Sequence, residues 1–169
     1  MRIDVIQKEQ LHHVAELAQI IWPVAYCDII SKEQLNYMLD RFYSIESLIH
    51  QQELLKHEFL LVFNDDNKPI AYASFGNSSE DNSSFVKLHK LYVLPECQGN
   101  GIGKSIIDFL ESQMKREKKT LLRLNVNRKN IAVDFYKKSG FEIIGVEDID
   151  IGNGYFMNDF VMEKKIAVC

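Results

Sequence analysis

The sequence predicts a single domain of the α/β (α+β) class, in which helices flank a sheet of about seven strands. Three observations predict this class. The chain has 169 residues, of which 46% are hydrophobic and 26% charged, and this length and composition suit one globular domain with a buried core. Apolar runs of strand length alternate with segments whose apolar residues recur at helical spacing. Turn-forming residues separate these segments, and no internal repeat or linker interrupts them.

The N-terminal part is predicted to be one strand followed by two or three helices. Residues 2–6 alternate as a short edge strand does. Apolar residues at helical spacing follow until Pro23, which we expect to end the first helix because proline lacks an N–H group. Ser31 and Gln34 match a capping box and predict a second helix directly after the serine. Ser44 can cap a third helix.

The middle of the chain is predicted to form a hairpin followed by a central strand. Residues 59–63 and 70–75 have strand character, and the polar turn between them ends in Pro69. Residues 76–84 are all small or acidic, which predicts a mobile loop. The central strand follows this loop and ends before Pro95.

The C-terminal part is predicted to contain a helix, a strand, a short helix and two final strands. The strand between the helices covers residues 121–126. Asn130 starts the short helix, and Gly140 stops it. The last two strands cover residues 141–146 and 155–162.

The segment between the central strand and the next helix is predicted to bind phosphate. It contains three glycines at alternate positions: Gly99, Gly101 and Gly103. Glycine lets backbone N–H groups approach a ligand closely, and a helix start adds unpaired N–H groups and partial positive charge. A P-loop is excluded because Gln98 stands where its first glycine belongs. A dinucleotide fingerprint is excluded because Lys104 or Ile106 would have to be its third glycine.

The pattern that fits is Gln-x-x-Gly-x-Gly, which resembles the acetyl-CoA loop of the GNAT N-acetyltransferase superfamily. A second motif, residues 127–141, also resembles the family pattern, with Asn130, Ala132, Phe135-Tyr136 and Lys137-x-x-Gly-Phe. The resemblance covers nearly the whole chain. It implies one GNAT domain over residues 1–169, with a mostly antiparallel, splayed central sheet. Within the superfamily, the chain looks most like bacterial spermidine/spermine (PaiA-like) acetyltransferases.

The resemblance implies acetyl-CoA as cosubstrate and suggests which residues bind it. Main-chain amides of the loop would hold the pyrophosphate. The residues carried over for this role are Gln98, Gly99, Asn100, Gly101, Ile102, Gly103, Lys104 and Ser105. The pantetheine arm would pair with the backbone of Leu91, Tyr92 and Val93 as a pseudo-strand. Asn130 would contact its amide groups, and Tyr136 would lie close to the thioester.

The resemblance also implies that Tyr136 is the general acid. The departing CoA thiolate needs a proton, and a phenol of ordinary pKa, about 10, is protonated at neutral pH and can donate it. The alternative is that Tyr136 is a core residue on the apolar face of the short helix.

The general base is less clear in the sequence. An ordinary alkyl amine is neutral in only about one molecule in two to three thousand at pH 7. Several family members place a glutamate at the position of Lys87, which cannot act as a base while it is protonated. His89 shares a strand face with Lys87, and its ordinary pKa near 6.5 suits a base. The alternatives are a strand histidine without a catalytic role, or a water chain ending on Glu80, Asp81 or a backbone carbonyl.

The acceptor is predicted to be a primary amine, and the resemblance narrows this to a polyamine. Trp22 and Tyr26 could flank an ammonium group, since aromatic faces attract cations. Asp159 is the preferred carboxylate partner, with Asp148 and Asp150 as further candidates. The alternative to amine binding is that the acidic residues only interact with water and that Trp22 is a core residue. A peptide or protein N-terminal acetyltransferase and a non-catalytic acyl-CoA-binding module also remain open.

Charge and cysteine content limit the partners. The net charge of −4 does not indicate nucleic-acid binding. No segment resembles a signal peptide or a membrane span. Cys27, Cys97 and Cys169 lack paired or metal-ligand spacing, which predicts free thiols in the cytoplasm. No metal is expected, and a homodimer is the family's frequent state. Four further histidines are predicted to be surface residues: His12, His13, His50 and His57.

Overall fold

The computed structural model describes residues 1–80 and 83–167, and for residues 79, 80 and 83 it describes the backbone alone. Seven strands and five α-helices are present in this part of the chain. The strands are β1 (Arg2–Ile6), β2 (Glu58–Phe63), β3 (Pro69–Glu80), β4 (Ser83–Val93), β5 (Leu121–Asn127), β6 (Glu142–Gly152) and β7 (Tyr155–Lys165). The helices are α1 (Leu11–Ala25), α2 (Lys32–Tyr43), α3 (Ile45–Glu53), α4 (Ile102–Arg116) and α5 (Ala132–Lys138).

The strands form one mixed sheet in the order β1-β2-β3-β4-β5-β7-β6. Four neighbouring pairs are antiparallel, namely β1–β2, β2–β3, β5–β7 and β6–β7. The pair β4–β5 is parallel, and its ladder runs from Val86↔Leu122 to Leu88↔Leu124. The predicted class and the predicted seven strands are confirmed.

The chain divides into two compact units. The first consists of Met1–Gly76 and His89–Asp108, and the second of the described residues of Asn77–Leu88 and Phe109–Cys169. Strands β3 and β4 and helix α4 each contribute residues to both units. The prediction of a single domain over residues 1–169 stays a prediction.

Local signals predicted the starts of α2 and α3 correctly. The Ser31 side chain accepts a hydrogen bond from the Gln34 N–H at 3.1 Å, and α2 begins at the next residue. The Ser44 side chain accepts from the Ser47 N–H at 3.3 Å and caps α3. Both serines therefore satisfy N–H groups that a helix start leaves unpaired, as the sequence predicts.

Several boundaries were predicted wrongly, including the ends of the last two strands, because β6 continues to Gly152 and β7 to Lys165. Helix α1 does not end at Pro23 but continues to Ala25. A proline so near a helix end removes a single hydrogen bond, and this loss is small beside the apolar face that α1 buries. The predicted loop over residues 76–84 is also wrong in its described part, because β3 extends to Glu80 and β4 begins at Ser83. Strand pairing uses the backbone, so small polar side chains do not prevent it.

The core of the first unit contains a cluster of five aromatic rings: Trp22, Tyr26, Tyr43, Tyr72 and Tyr92. The Trp22 indole N–H donates to the Tyr72 hydroxyl at 3.2 Å, and that hydroxyl donates to the Tyr43 hydroxyl at 2.9 Å. Burial raises the pKa of both Tyr43 and Tyr72 well above the ordinary value. These phenols stay protonated, so the buried chain of hydroxyls is uncharged.

Alternation along β5 gives the second unit one apolar and one polar sheet face. Leu122, Leu124 and Val126 are buried, while Arg123 and Asn125 lie on the opposite face. The Arg123 guanidinium donates to the Glu163 carboxylate at 2.8 Å and lies 4.1 Å from the centre of the Phe85 ring. The polar face is therefore ordered by paired side chains.

Lys90 of β4 places an ammonium group in the core of the first unit. Its Nζ donates to the Gln51 side-chain oxygen and lies 5.4 Å from the Tyr43 ring centre and 5.8 Å from that of Phe59. Burial lowers the pKa of Lys90 from 10.5 to about 8. The charged lysine is therefore less favourable in the folded chain than in the unfolded chain.

We predict that Lys90→Met stabilises the protein at pH 7. Between about pH 8 and 10.5 the unfolded chain binds more protons at this position, so wild-type stability rises with pH there. At pH 7 the charged lysine lowers the free energy of unfolding, and its removal should raise that energy by about 1–3 kcal/mol after the loss of the Gln51 bond. Urea unfolding at pH 7 and pH 10 measures the free energies of unfolding of the wild type and the variant. The difference between them should be smaller at pH 10.

Lys115→Met is the matched control, because Lys115 is exposed on α4. Its free energy of unfolding should follow the wild type at both pH values. A Lys90→Met variant that is less stable than the wild type at pH 7 would contradict the assigned cost of burial.

Candidate functional site

The glycine loop joins β4 to α4 in the first unit. A 3₁₀ turn, Pro95–Cys97, follows the strand, and the Gln98 side chain donates back to the Val93 carbonyl at 3.1 Å. Gly99 and Gly101 have φ angles of 79° and 77°. These left-handed angles raise the conformational energy of a residue that has a Cβ atom, but not that of glycine. The two glycines thus permit the tight path that leads into α4.

The amide groups of this loop are not used by the backbone of the described residues, and the Cβ sides of two of its glycines are open. Within the part of the chain that the structure describes, the N–H groups of Gly99, Asn100 and Gly101 donate no backbone hydrogen bond. A Cβ atom built on Gly99 or Gly101 would meet no atom within 4 Å. Helix α4 begins at Ile102 and adds its own unpaired N–H groups. Consecutive free N–H groups at a helix start form a concave site for an anion.

Side chains fix the first turn of α4. The Ser105 N–H and hydroxyl both donate to the Gly101 carbonyl, at 2.9 and 3.1 Å. Lys104 is exposed and pairs with Asp108 at 2.7 Å. Ser105 therefore holds the helix start, and Lys104 lies on its outer surface beside a carboxylate.

Asn130 and Tyr136 belong to the second unit. The Asn130 side-chain oxygen accepts a hydrogen bond from the Ala132 N–H at 2.9 Å, which supports the start of α5. Tyr136 is 7% exposed, and its ring packs edge-on against Phe135 and Phe141. This burial agrees with the core interpretation of Tyr136, and its acid role stays a prediction.

His89 is exposed on β4, and its ring stacks on the ring of His57. The two centroids are 3.7 Å apart and the planes differ by 13°. Burial, and then the charge of Lys90, lowers the pKa of His57 to about 4. The prediction that His57 is a surface residue is wrong, since it is half-buried against β4. The Glu80 side chain and Asp81, the alternative ends of a proton path, lie outside the described residues.

The predicted amine-flanking residues lie in the aromatic cluster of the first unit. Trp22 is 5% and Tyr26 9% exposed, with ring centres 4.7 Å apart. The hydroxyls of Tyr26 and Tyr92 share a hydrogen bond of 2.9 Å. The structure thus brings Trp22, Tyr26 and Tyr92 together. Tyr43 and Tyr72, which complete the cluster, were not predicted from the sequence.

Asp159 is the buried carboxylate of the second unit, with 6% of its surface exposed. Burial, and to a smaller extent the negative charge of Glu147, raises its pKa to about 6. A hydrogen bond from Asn125 and the charges of Lys87 and Arg128 oppose this shift. Glu147 lies directly opposite Asp159 in the β6–β7 ladder, so both side chains share one sheet face.

A chain of polar contacts connects the neighbours of Asp159. The Lys87 ammonium donates to the Asn125 side-chain oxygen, and the Asn125 amide donates to Glu147 at 2.7 Å. Lys87, which stands where relatives are expected to have a glutamate, is therefore in contact with a polar network. Asn125 and Glu147 were not predicted from the sequence. Alternation along β5 could have placed Asn125 on the polar face.

The other two acidic candidates have local partners. Asp148 is exposed and pairs with Arg128. The Asp150 carboxylate accepts a hydrogen bond from the Gly152 N–H at 2.8 Å, at the end of β6. Their role in amine binding stays a prediction, and of the three aspartates only Asp159 is buried.

The remaining predicted features concern thiols, metals and membranes. Cys27 and Cys97 are free thiols, and Cys169 lies outside the described residues. Among the residues that the structure describes, no three His, Cys, Asp or Glu side chains gather where they could hold a metal ion. None of the described helices is both long and apolar enough to span a bilayer. The cytoplasmic location and the homodimer stay predictions.

Comparisons with known proteins give consistent matches. The family model described as "Acetyltransferase (GNAT) domain" matches residues 28–163. The spermidine N(1)-acetyltransferase of Thermoplasma acidophilum is 32% identical over 164 residues, which are 93% of this chain and 92% of that protein.

Solved structures are similar over almost the full length. The PaiA N-acetyltransferase from Thermoplasma acidophilum in complex with coenzyme A has a TM-score of 0.77 and 30% identity, covering 98% of this chain and 99% of that chain. The ribosomal-protein-S18-alanine N-acetyltransferase from Escherichia coli has a TM-score of 0.71 at 15% identity, covering 99% and 95%. At that identity the likeness shows the fold alone.

The polar face of the second unit can be tested by titration. We predict that Glu147→Gln lowers the pKa of Asp159, because the substitution removes a negative charge and keeps an oxygen that accepts from Asn125. Carboxyl ¹³C NMR measures the titration of Asp159 directly. Asp148→Asn is the control, since Asp148 also lies on β6 but pairs with Arg128. An Asp159 pKa that does not change in Glu147→Gln would contradict the coupling.

Proposed function

The chain belongs to the GNAT N-acetyltransferase family, as predicted, and on that premise we propose that it transfers the acetyl group of acetyl-CoA to a primary amine. The transfer takes place by direct attack in a ternary complex. The main support for this proposal is the glycine loop. Directly before α4, its amides have no backbone partner among the described residues. The likeness to a spermidine acetyltransferase favours a polyamine as the acceptor.

The loop amides bind the pyrophosphate of acetyl-CoA in this proposal. Residues 99–104 supply N–H groups and the positive end of α4, which suit phosphate oxygens, while Gln98 and Ser105 hold the loop through their bonds to the carbonyls of Val93 and Gly101. Leu91, Tyr92 and Val93 supply backbone groups for the pantetheine amides. The short β4–β5 ladder supports this assignment, because β4 continues for five residues beyond its last ladder pair at Leu88. Asn130 is a further contact for pantetheine.

The chemistry needs one proton acceptor and one donor. The amine nitrogen forms a bond to the acetyl carbonyl carbon, and the bond from that carbon to the CoA sulfur breaks. His89 takes the proton from the amine nitrogen. Tyr136 gives its hydroxyl proton to the departing thiolate. The exposed ring of His89 and the protonated state of an ordinary phenol support these roles.

Aromatic and acidic residues recognise the amine. Asp159 is the carboxylate that we assign to an ammonium group, and its pKa of about 6 keeps it mostly charged at neutral pH. The Tyr26 and Tyr92 pair presents hydroxyls and ring edges, and Trp22 packs against both rings. These assignments favour a cationic acceptor over a neutral one.

An acceptor panel tests the proposal. Purified protein is mixed with acetyl-CoA and with spermidine, a simple alkyl monoamine or a peptide with an N-terminal alanine, and released thiol is measured. We expect thiol release with spermidine. Release with the peptide alone would favour an N-terminal acetyltransferase. Coenzyme A binding without thiol release from any acceptor would favour a non-catalytic acyl-CoA-binding module.

We predict that Tyr136→Phe lowers kcat by about 10²-fold, the usual size of an acid–base contribution, and leaves the Kd for acetyl-CoA unchanged. The phenylalanine keeps the ring contacts with Phe135 and Phe141 but cannot donate a proton. Steady-state kinetics and calorimetry measure the two quantities. Tyr37→Phe is the control, because Tyr37 lies on α2 and accepts a hydrogen bond from Arg41. An unchanged kcat in Tyr136→Phe removes this residue from the acid role.

We predict that Gly101→Ala weakens coenzyme A binding at least tenfold, because the methyl group enters the space assigned to the phosphates. The left-handed φ angle also costs about 1–2 kcal/mol of stability. Gly154→Ala is the matched control, since Gly154 has a φ of 78° and equally open surroundings. Both variants should lose similar stability in urea unfolding. Equal coenzyme A affinity in the two variants, measured by calorimetry, would contradict the loop assignment.

A further inference from the structure

His57 is the residue before β2, and its imidazole lies flat against the imidazole of His89. The centroid distance of 3.7 Å and the plane angle of 13° describe full face-to-face contact. His57 is half-buried, whereas His89 is exposed. A ring in such contact restricts rotation of its neighbour, so the half-buried ring of His57 limits the orientations open to the exposed ring of His89.

The backbone around His57 is fixed from two sides. The His57 N–H donates to the Gln51 carbonyl at 2.9 Å. The preceding residue, Lys56, has a φ of 59°, a left-handed angle that turns the chain from the end of α3 into β2. This turn aims the His57 ring at β4.

Gln51 provides the second layer of support. It is 6% exposed, and its amide nitrogen donates to the Phe42 carbonyl at 2.9 Å and to the Ser47 hydroxyl at 3.1 Å. Its side-chain oxygen accepts from Lys90, the neighbour of His89 on β4. One buried glutamine thus connects α3 to the backbone of His57 and to the strand that carries His89.

His57 acts through its ring face and not through a hydrogen bond of Nδ1. Among the described residues, the buried Nδ1 atom of His57 has no hydrogen-bond partner. Burial and the charge of Lys90 keep the ring uncharged, with a pKa of about 4. An uncharged ring face does not repel a neighbouring imidazole that becomes protonated.

We propose that His57 is a positioning residue, which holds the His89 imidazole in one orientation so that it can take the proton of the acceptor amine. This inference rests on the proposed role of His89 as the base. It assigns a task to two residues that are 32 positions apart in the sequence, one directly before β2 and the other on β4.

Kinetics of four variants test the inference: His57→Phe, His57→Ala, His89→Ala and the double variant of both alanines. His57→Ala should lower kcat about 10- to 100-fold through loss of orientation, without a change in the Kd for acetyl-CoA. His57→Phe keeps a ring face and should retain most of the activity. In the His89→Ala background, His57→Ala should not lower kcat further, because His57 affects the reaction only by orienting His89. Additive losses, or a His57→Phe variant as slow as His57→Ala, overturn the inference.

An NMR measurement tests the same inference without turnover. ¹³C relaxation of the His89 ring C–H groups reports how far the ring is restricted. We expect the order parameter to fall in His57→Ala and to stay high in His57→Phe, with the exposed ring of His50 as the reference. An order parameter that does not change in His57→Ala overturns the positioning role. This result is distinct from a failure of the proposed function, which would appear as a wild type that acetylates no amine.

Discussion

The structure depends on one local constraint, the left-handed backbone at Gly99 and Gly101. Directly before the N-terminus of α4, this path leaves a run of main-chain N–H groups that have no backbone partner in the part of the chain that the structure describes. Unpaired N–H groups at an exposed helix start add little to the free energy of the protein, because water hydrogen-bonds to them. A bound anion stabilises them strongly. Gln98 ties the loop to the end of β4, and Ser105 ties it to the helix. The proposed binding of acetyl-CoA follows from this arrangement.

Burial shifts the pKa of polar groups in both units. Removal from water raises the pKa of Asp159 to about 6, and it lowers that of His57 to about 4 and that of Lys90 to about 8. These opposite directions have one cause, since burial disfavours the charged form of every group. Near neutral pH, Asp159 can attract a cation and His57 is uncharged beside His89. The same effect makes the charged Lys90 destabilising, and the hydrogen bond from Lys90 to Gln51 reduces this destabilisation.

Local patterns in the sequence predicted the elements, the two capped helices at Ser31 and Ser44, and the glycine loop. These features depend on residues a few positions apart, so a single sequence contains the whole signal. The continuation of α1 past Pro23 and the long strands β3 and β4 were not predicted, because tertiary pairing overrides local preference there. The contact of His57 with His89 and the network of Asn125 join residues from distant segments. No spacing rule in one sequence reveals such contacts.

The most direct test of the account is the amide NMR spectrum of the protein during titration with coenzyme A. We expect the largest shifts on the amides of residues 99–104, because these N–H groups donate hydrogen bonds to the pyrophosphate oxygens. Desulfo-coenzyme A, which keeps the pyrophosphate, should cause the same shifts. Saturable binding whose shifts leave the amides of Gly99 and Gly101 unchanged would contradict the account.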